Sequence, residues 1–142
     1  MDKKFLPCVC MCTRRAAGAL TSYYDKRFEP MGITVNQFSL MINIKSAGTT
    51  NITDLTRMVK LDKSTLSRTL APLIDDGYIY SQRGRNRREI LLTLTEKGQQ
   101  KMAVAFPAWR EMQSEMIELL GGEDEAEKFV DTLIRIQELK RK

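Results

Sequence analysis

The chain has 142 residues, of which 42% are hydrophobic, and a formal net charge of +5 at pH 7, which suits one globular domain with a buried core. No stretch approaches the roughly 18 apolar residues of a membrane span, and the apolar run at residues 5–12 is too short for a secretory signal, so we expect a cytoplasmic protein with no membrane partner. Histidine, the commonest general base and metal ligand, is absent; paired catalytic carboxylates and a phosphate-binding glycine loop are also missing, so we expect no enzyme, metal site or cofactor.

The N-terminal third predicts two helices. Apolar residues recur with a helical period from about Val9 to Phe28, and Pro30 with Gly32 ends that segment. Thr34-x-x-Gln37 then has the form of a capping box, in which the hydroxyl accepts a backbone N–H and the glutamine reaches back. The helix that it opens is expected to stop near residues 46–48.

Two shorter helices are predicted next. Thr53 is expected to cap the first. Its inward-facing residues are predicted to be Ile52, Leu55, Met58 and Val59. Asp62 is expected to cap the second helix, which Gly77 ends with a positive φ. The buried stripe of that second helix is predicted to be Leu66, Leu70, Leu73 and Ile74.

After Gly77 the hydrophobic period changes from 3.6 to 2. The segments Tyr78–Arg83 and Ile90–Thr95 are predicted strands, joined by a basic turn at residues 84–88. From Thr95 the helical period returns, Gly121-Gly122 interrupts it, and a last helix is expected to run to about Lys140. The predicted fold class is mainly α with a small β-hairpin (α+β).

Two short helices followed by a basic hairpin form a winged helix-turn-helix, whose second helix enters the DNA major groove. Residues 57–101 hold ten Lys or Arg against five Asp or Glu, so the excess positive charge of the chain lies in this segment. Solvated charges on an ordinary helix and hairpin are the alternative reading. The candidate DNA-binding residues are Thr53, Lys63, Ser64, Thr65, Ser67, Arg68, Arg83, Arg85, Arg87 and Arg88.

Several ordered motifs resemble the multiple-antibiotic-resistance regulator (MarR) family of bacterial repressors, over nearly the whole chain. They are Ala17-x-x-Leu20-x-x-Tyr23-Tyr24-Asp25, Gly32-Ile33-Thr34-x-x-Gln37-Phe38, Leu61-Asp62-Lys63-Ser64-Thr65-Leu66-Ser67-Arg68-x-Leu70-x-x-Leu73, Asp76-Gly77-Tyr78-Ile79, and Arg87-Arg88 leading to Leu94-Thr95-x-x-Gly98.

The resemblance implies one domain, residues 1–142, that binds DNA as a homodimer. The winged-helix lobe would span about 34–98, with flanking dimerisation helices at about 5–30 and 99–142. The partner would be double-stranded DNA carrying a pseudo-palindromic operator. The recognition-helix contacts fall on Ser64, Thr65, Ser67 and Arg68, and the minor-groove arginine falls on Arg88. The family wing usually has an aspartate two residues before that arginine; here Asn86 offers only neutral hydrogen bonds.

The resemblance also implies a repressor released by a small-molecule effector or an oxidant. Cys10 falls near the sensing cysteine of the organic-hydroperoxide-resistance regulators, although no later cysteine is present to resolve an oxidised thiol. The alternative is that Cys8, Cys10 and Cys12 are small apolar residues in the dimer interface. At the level of function, the alternative is a winged-helix adaptor that binds protein and not DNA.

Overall fold

The computed structural model describes residues 5–86 and 88–139. Its helices are α1 (Val9–Phe28), α2 (Val35–Ala47), α3 (Ile52–Val59), α4 (Lys63–Asp75), α5 (Glu96–Leu120) and α6 (Glu123–Gln137). Its strands are β1 (Thr49–Asn51), β2 (Ile79–Arg83) and β3 (Ile90–Leu94). The predicted fold class is confirmed. The chain divides into two compact units, residues 1–105 and 106–142.

The connection between α1 and α2 is fixed by side chains that satisfy the first backbone N–H groups of α2. The predicted capping box is confirmed: Gln37 N–H donates to the Thr34 hydroxyl at 3.1 Å, and Thr34 N–H donates to the Gln37 side-chain oxygen at 3.0 Å. Val35 N–H donates to the Asp25 carboxylate at 2.7 Å, which ties α1 to the start of α2. Because a helix leaves these groups without intrahelical partners, the three bonds define where α2 begins.

The core of the first unit surrounds α2. Phe28 is fully buried, and its ring stacks on that of Phe38 at a centroid distance of 5.2 Å. It is therefore a core residue and not part of an apolar stripe of α1 that faces a partner subunit. Leu40 and Ile44 of α2 are also fully buried, so this helix is covered on more than one side.

The sheet has three strands where the sequence predicted two. The order is β1-β3-β2 and both pairings are antiparallel; Thr50 of β1 pairs with Leu92, and Ile79 of β2 pairs with Leu94. The β1 strand has only three residues, and they are polar, so it shows no alternation of apolar and polar residues from which it could be predicted.

The strand β1, which was not predicted, changes where α3 begins. Asn51, the last residue of β1, is the N-cap, and its side-chain oxygen accepts the Asp54 N–H at 2.8 Å. Thr53 was predicted to be the cap, and that prediction is wrong, because Thr53 lies inside the first turn of α3. Leu55 is fully buried as predicted, whereas Met58 is 43% exposed and does not face inward.

The second unit comprises the latter part of α5 together with α6. The predicted break at Gly121-Gly122 is confirmed, since both glycines have positive φ (103° and 111°). The helix α6 ends at Gln137, and Lys140, to which it was predicted to extend, lies outside the described residues. Exposed apolar side chains of this unit include Phe129, Val130, Ile134 and Ile136. None of the helices within residues 5–86 and 88–139 is long and apolar enough to cross a membrane.

Candidate nucleic-acid interface

The helix α4 presents a polar face opposite its buried stripe. Leu66, Leu70 and Leu73 are buried as predicted, and Ile74 is half-buried. The four exposed candidate residues of α4 are Lys63, Ser64, Ser67 and Arg68, and Thr65 is half-buried. This face therefore combines small hydroxyl side chains, which allow close approach to another surface, with two cationic donors.

Local hydrogen bonds orient the first turn of α4. Asp62 is the N-cap as predicted: its carboxylate accepts the Thr65 N–H at 2.7 Å and the Ser64 hydroxyl at 2.9 Å. The Arg68 guanidinium bends back along the helix to donate to the Ser64 carbonyl at 3.4 Å and to the Thr65 hydroxyl at 3.3 Å. Three of the polar residues of this face, Ser64, Thr65 and Arg68, are therefore held by neighbouring groups of the same helix turn.

The same bonds lower the pKa of Asp62 to about 2 from an ordinary value of 3.8, chiefly through the Thr65 N–H and then the Ser64 and Thr65 side chains. A carboxyl group whose pKa is lower in the folded state stabilises the fold above its unfolded pKa. That stabilisation is lost as pH falls through the folded value.

We therefore expect the stability of the protein to fall between about pH 4 and pH 2 partly because Asp62 becomes protonated. Asp62→Asn keeps an N-capping side chain but does not titrate, so its stability should fall less over this range. Denaturant titrations of both proteins at several pH values would measure the difference. Parallel curves for the two proteins would contradict this role of Asp62.

The wing is the turn between β2 and β3, at residues 84–89. Gly84 N–H donates to the Glu89 carbonyl at 2.8 Å, and Glu89 N–H donates to the Asn86 carbonyl at 2.9 Å. The Asn86 side-chain oxygen accepts the Arg88 N–H at 3.3 Å, a neutral bond of the kind expected at this position. Arg83, Arg85 and Arg88 are exposed, and the remaining candidate, Arg87, lies outside the described residues.

A cleft of about 540 Å³ opens between α3, α4 and the wing. It brings together four of the predicted residues, namely Thr53, Lys63, Ser67 and Arg88. The other described candidates lie outside its lining, elsewhere on α4 (Ser64, Thr65 and Arg68) or on the hairpin (Arg83 and Arg85).

The cleft is also lined by charged residues that were not predicted from the sequence to bind DNA. Arg57 of α3 lines it and forms an ion pair with Asp54 at 2.6 Å, and Glu89 lines its wing side. Arg57 is the first residue of the basic segment 57–101, so its charge could have marked it as a candidate DNA-binding residue. Its position beside the wing could not be predicted, because that position depends on the tertiary fold.

The cysteines Cys8, Cys10 and Cys12 are exposed in the single chain. Across the two described ranges, no group of three or more cysteine and acidic side chains is arranged to hold a metal ion.

Comparison with known proteins identifies the family. The MarR family pattern matches residues 33–90. The M. tuberculosis transcriptional regulator MosR, in complex with DNA, is 30% identical and has a TM-score of 0.81, covering 92% of this chain and 96% of MosR. A mutant E. coli MarR in complex with operator DNA is 18% identical, with a TM-score of 0.81 and coverage of 90% and 92%. The HTH-type transcriptional regulator YwoH of Bacillus subtilis is 22% identical over 87 residues, and the match spans 61% of this chain and 64% of YwoH. The chain therefore belongs to the MarR family of transcription regulators.

Proposed function

We propose that this protein is a sequence-specific regulator that binds double-stranded DNA as a homodimer in the cytoplasm, and not an enzyme. In this proposal it is a repressor that a small molecule or an oxidant releases from DNA. The observation that carries the proposal is the cleft that Lys63 and Ser67 of α4 line together with Arg88 of the wing. Cations on both sides of one cleft suit a polyanion such as DNA.

The dimensions of DNA fit this arrangement. The major groove is about 12 Å wide and admits an α-helix, and short side chains such as Ser64 and Ser67 let the helix approach the base edges. In this placement Arg68 reaches bases or phosphates from the same helix. The wing then lies along the neighbouring minor groove, whose negative potential attracts arginine side chains such as Arg85 and Arg88.

The test is selection of bound duplexes from a random-sequence library, followed by affinity measurements over a range of salt concentrations. We expect a pseudo-palindrome with half-sites about one helical turn apart, because the two-fold symmetry of a dimer must match that of its site. Affinity should fall steeply with salt, because phosphate contacts release counterions. A library that gives no enriched sequence, together with salt-independent binding, would favour the adaptor alternative.

Dimerisation is a separate prediction. Apolar side chains are exposed near the N-terminus (Phe5, Leu6 and Val9) and on α6 (Val130 and Ile134). Several large apolar side chains exposed on one segment are unusual on a monomer and mark a protein contact. We expect sedimentation equilibrium at micromolar concentration to give twice the mass of the chain. A folded monomer under these conditions would rule out an obligate dimer.

We further propose Cys10 as a redox-sensing residue, because its thiol is exposed in the first turn of α1. An organic hydroperoxide would oxidise this thiol to a sulfenic acid and be reduced to the alcohol. We expect peroxide to weaken binding of the selected duplex by the wild-type protein, and to leave a Cys10→Ser variant unaffected. Equal weakening of both proteins would assign the effect to another group.

A further inference from the structure

Two acidic residues line the cleft: Asp54, which forms an ion pair with Arg57, and Glu89. Glu89 follows Arg88 directly, is half-buried, and lines the cleft with Lys63 and Arg88. Its carboxylate accepts a hydrogen bond from the Asn51 side-chain amide at 3.3 Å, across 38 positions of the chain. The wing is therefore joined by a side chain to the residue where α3 begins.

The backbone of the wing leaves space for the Glu89 side chain to extend toward Asn51. A Cβ atom placed on Gly84 would lie 2.7 Å from a carboxylate oxygen of Glu89 and 3.2 Å from the Glu89 Cβ atom. The absence of a side chain at Gly84 thus leaves the space that the Glu89 side chain occupies. The backbone bond between Gly84 N–H and the Glu89 carbonyl, at 2.8 Å, holds the two residues opposite each other.

The Asn51 side chain, at the α3 end of this hydrogen bond, is also held in place. Its side-chain oxygen caps α3 by accepting the Asp54 N–H at 2.8 Å. Because that oxygen is committed to the cap, the amide nitrogen is left to face the two carboxylates, at 3.1 Å from Asp54 and 3.3 Å from Glu89. The cap therefore aims the donor that Glu89 accepts.

We propose that Glu89 is a positioning residue, which holds the wing against α3 through Asn51 and so sets the place of Arg88 relative to α4. This inference rests on the proposed function. It implies that Glu89 improves recognition of the correct DNA sequence, although its negative charge opposes the approach of any DNA.

These two effects separate the proposal from a simple charge effect. If Glu89 only repelled phosphates, its removal would strengthen binding to every duplex by a similar factor. If it positions the wing, its removal weakens binding to the correct sequence, since a less well-placed Arg88 loses part of its contact. Binding to an unrelated sequence, which depends mainly on charge, would then stay the same or become tighter.

The experiment compares two DNA probes: the duplex selected by the wild-type protein and a shuffled duplex of equal length and composition. For Glu89→Ala we expect affinity for the selected duplex to fall at least about fivefold, the value of one hydrogen bond, because a dimer contains the bond twice; we expect no loss on the shuffled duplex. Glu89→Gln keeps a side-chain oxygen that can accept from Asn51 and removes the charge. It should restore binding of the selected duplex at least to the wild-type level.

The partner variant is Asn51→Ser, which retains a capping hydroxyl for α3 but is too short to reach Glu89. It should lose at least as much affinity as Glu89→Ala, and adding Glu89→Ala to it should cause no further loss, because Asn51→Ser already removes the bond to Glu89. Amide exchange of the wing without DNA should be faster in both single variants, which tests the bond independently of binding.

Tighter binding of both duplexes by Glu89→Ala, or failure of Glu89→Gln to restore affinity, would overturn the proposal. Unchanged exchange in the wing of either single variant, with the rest of the fold protected as in the wild type, would also overturn it. If the wild-type protein did not distinguish the two duplexes, the proposed function would fail and this inference with it. If the wild type did distinguish them and Glu89→Ala did so equally well, this inference alone would fail.

Discussion

A double variant, Arg68→Ala with Arg88→Ala, is expected to bind the selected duplex about a hundredfold or more weakly than the wild type. One arginine extends from α4 and the other from the wing, so the variant loses a contact in each groove, twice per dimer. A good arginine contact to a base edge contributes about 1–3 kcal/mol, which makes a loss of this size a conservative expectation. Both side chains are exposed, so the fold should be unaffected. Fluorescence anisotropy at physiological salt would measure the change.

The single variants and a charge control assign the loss to particular contacts. Each phosphate contact removed should lower the slope of log affinity against log salt by about one, whereas loss of a base contact changes sequence preference. Lys128→Ala removes a positive charge from α6, where Lys128 forms an exposed pair with Glu125, and should leave binding nearly unchanged. Wild-type affinity in the double variant would show that DNA binds elsewhere or does not bind.

Local capping signals could be predicted from the sequence because the atoms involved are only three residues apart. Thr34 with Gln37, and Asp62 with Thr65, are bonded as expected. The cap of α3 was mispredicted because it depends on a distant strand. Pairing of Asn51 with Leu91 places Asn51 in an extended conformation (φ −120°, ψ 170°) at the end of β1, and this conformation suits an N-cap.

The candidate interface was predictable to a similar degree. The period of the buried leucines gave the exposed face of α4, since opposite faces of one helix follow from its geometry. The cleft could not be predicted in the same way, because its width depends on how the wing packs beside α3. Glu89 in particular is an ordinary acidic residue in the sequence, and only its bond to Asn51 distinguishes it.

The second large effect concerns Gly98, in the first turn of α5, where the helix passes the end of the hairpin. A Cβ atom at this position would collide with the backbone carbonyl of Tyr78, and that carbonyl accepts the Thr95 N–H at 3.1 Å. A backbone carbonyl held in this way cannot move aside as a flexible side chain would. We expect Gly98→Ala to lower the free energy of unfolding by about 1–3 kcal/mol, as overpacking does elsewhere, despite the better helix propensity of alanine.

Gly18→Ala is the matched control, because a Cβ atom on Gly18, inside α1, would meet no atom of its own chain within 4 Å. There the same substitution should stabilise the protein by about 0.5–1 kcal/mol, since glycine loses more backbone entropy than alanine in a helix. Denaturant titrations of both variants at one protein concentration would compare them, because the stability of a dimer depends on concentration. If both changes stabilised the protein, the close approach of α5 to the Tyr78 carbonyl would not constrain this residue.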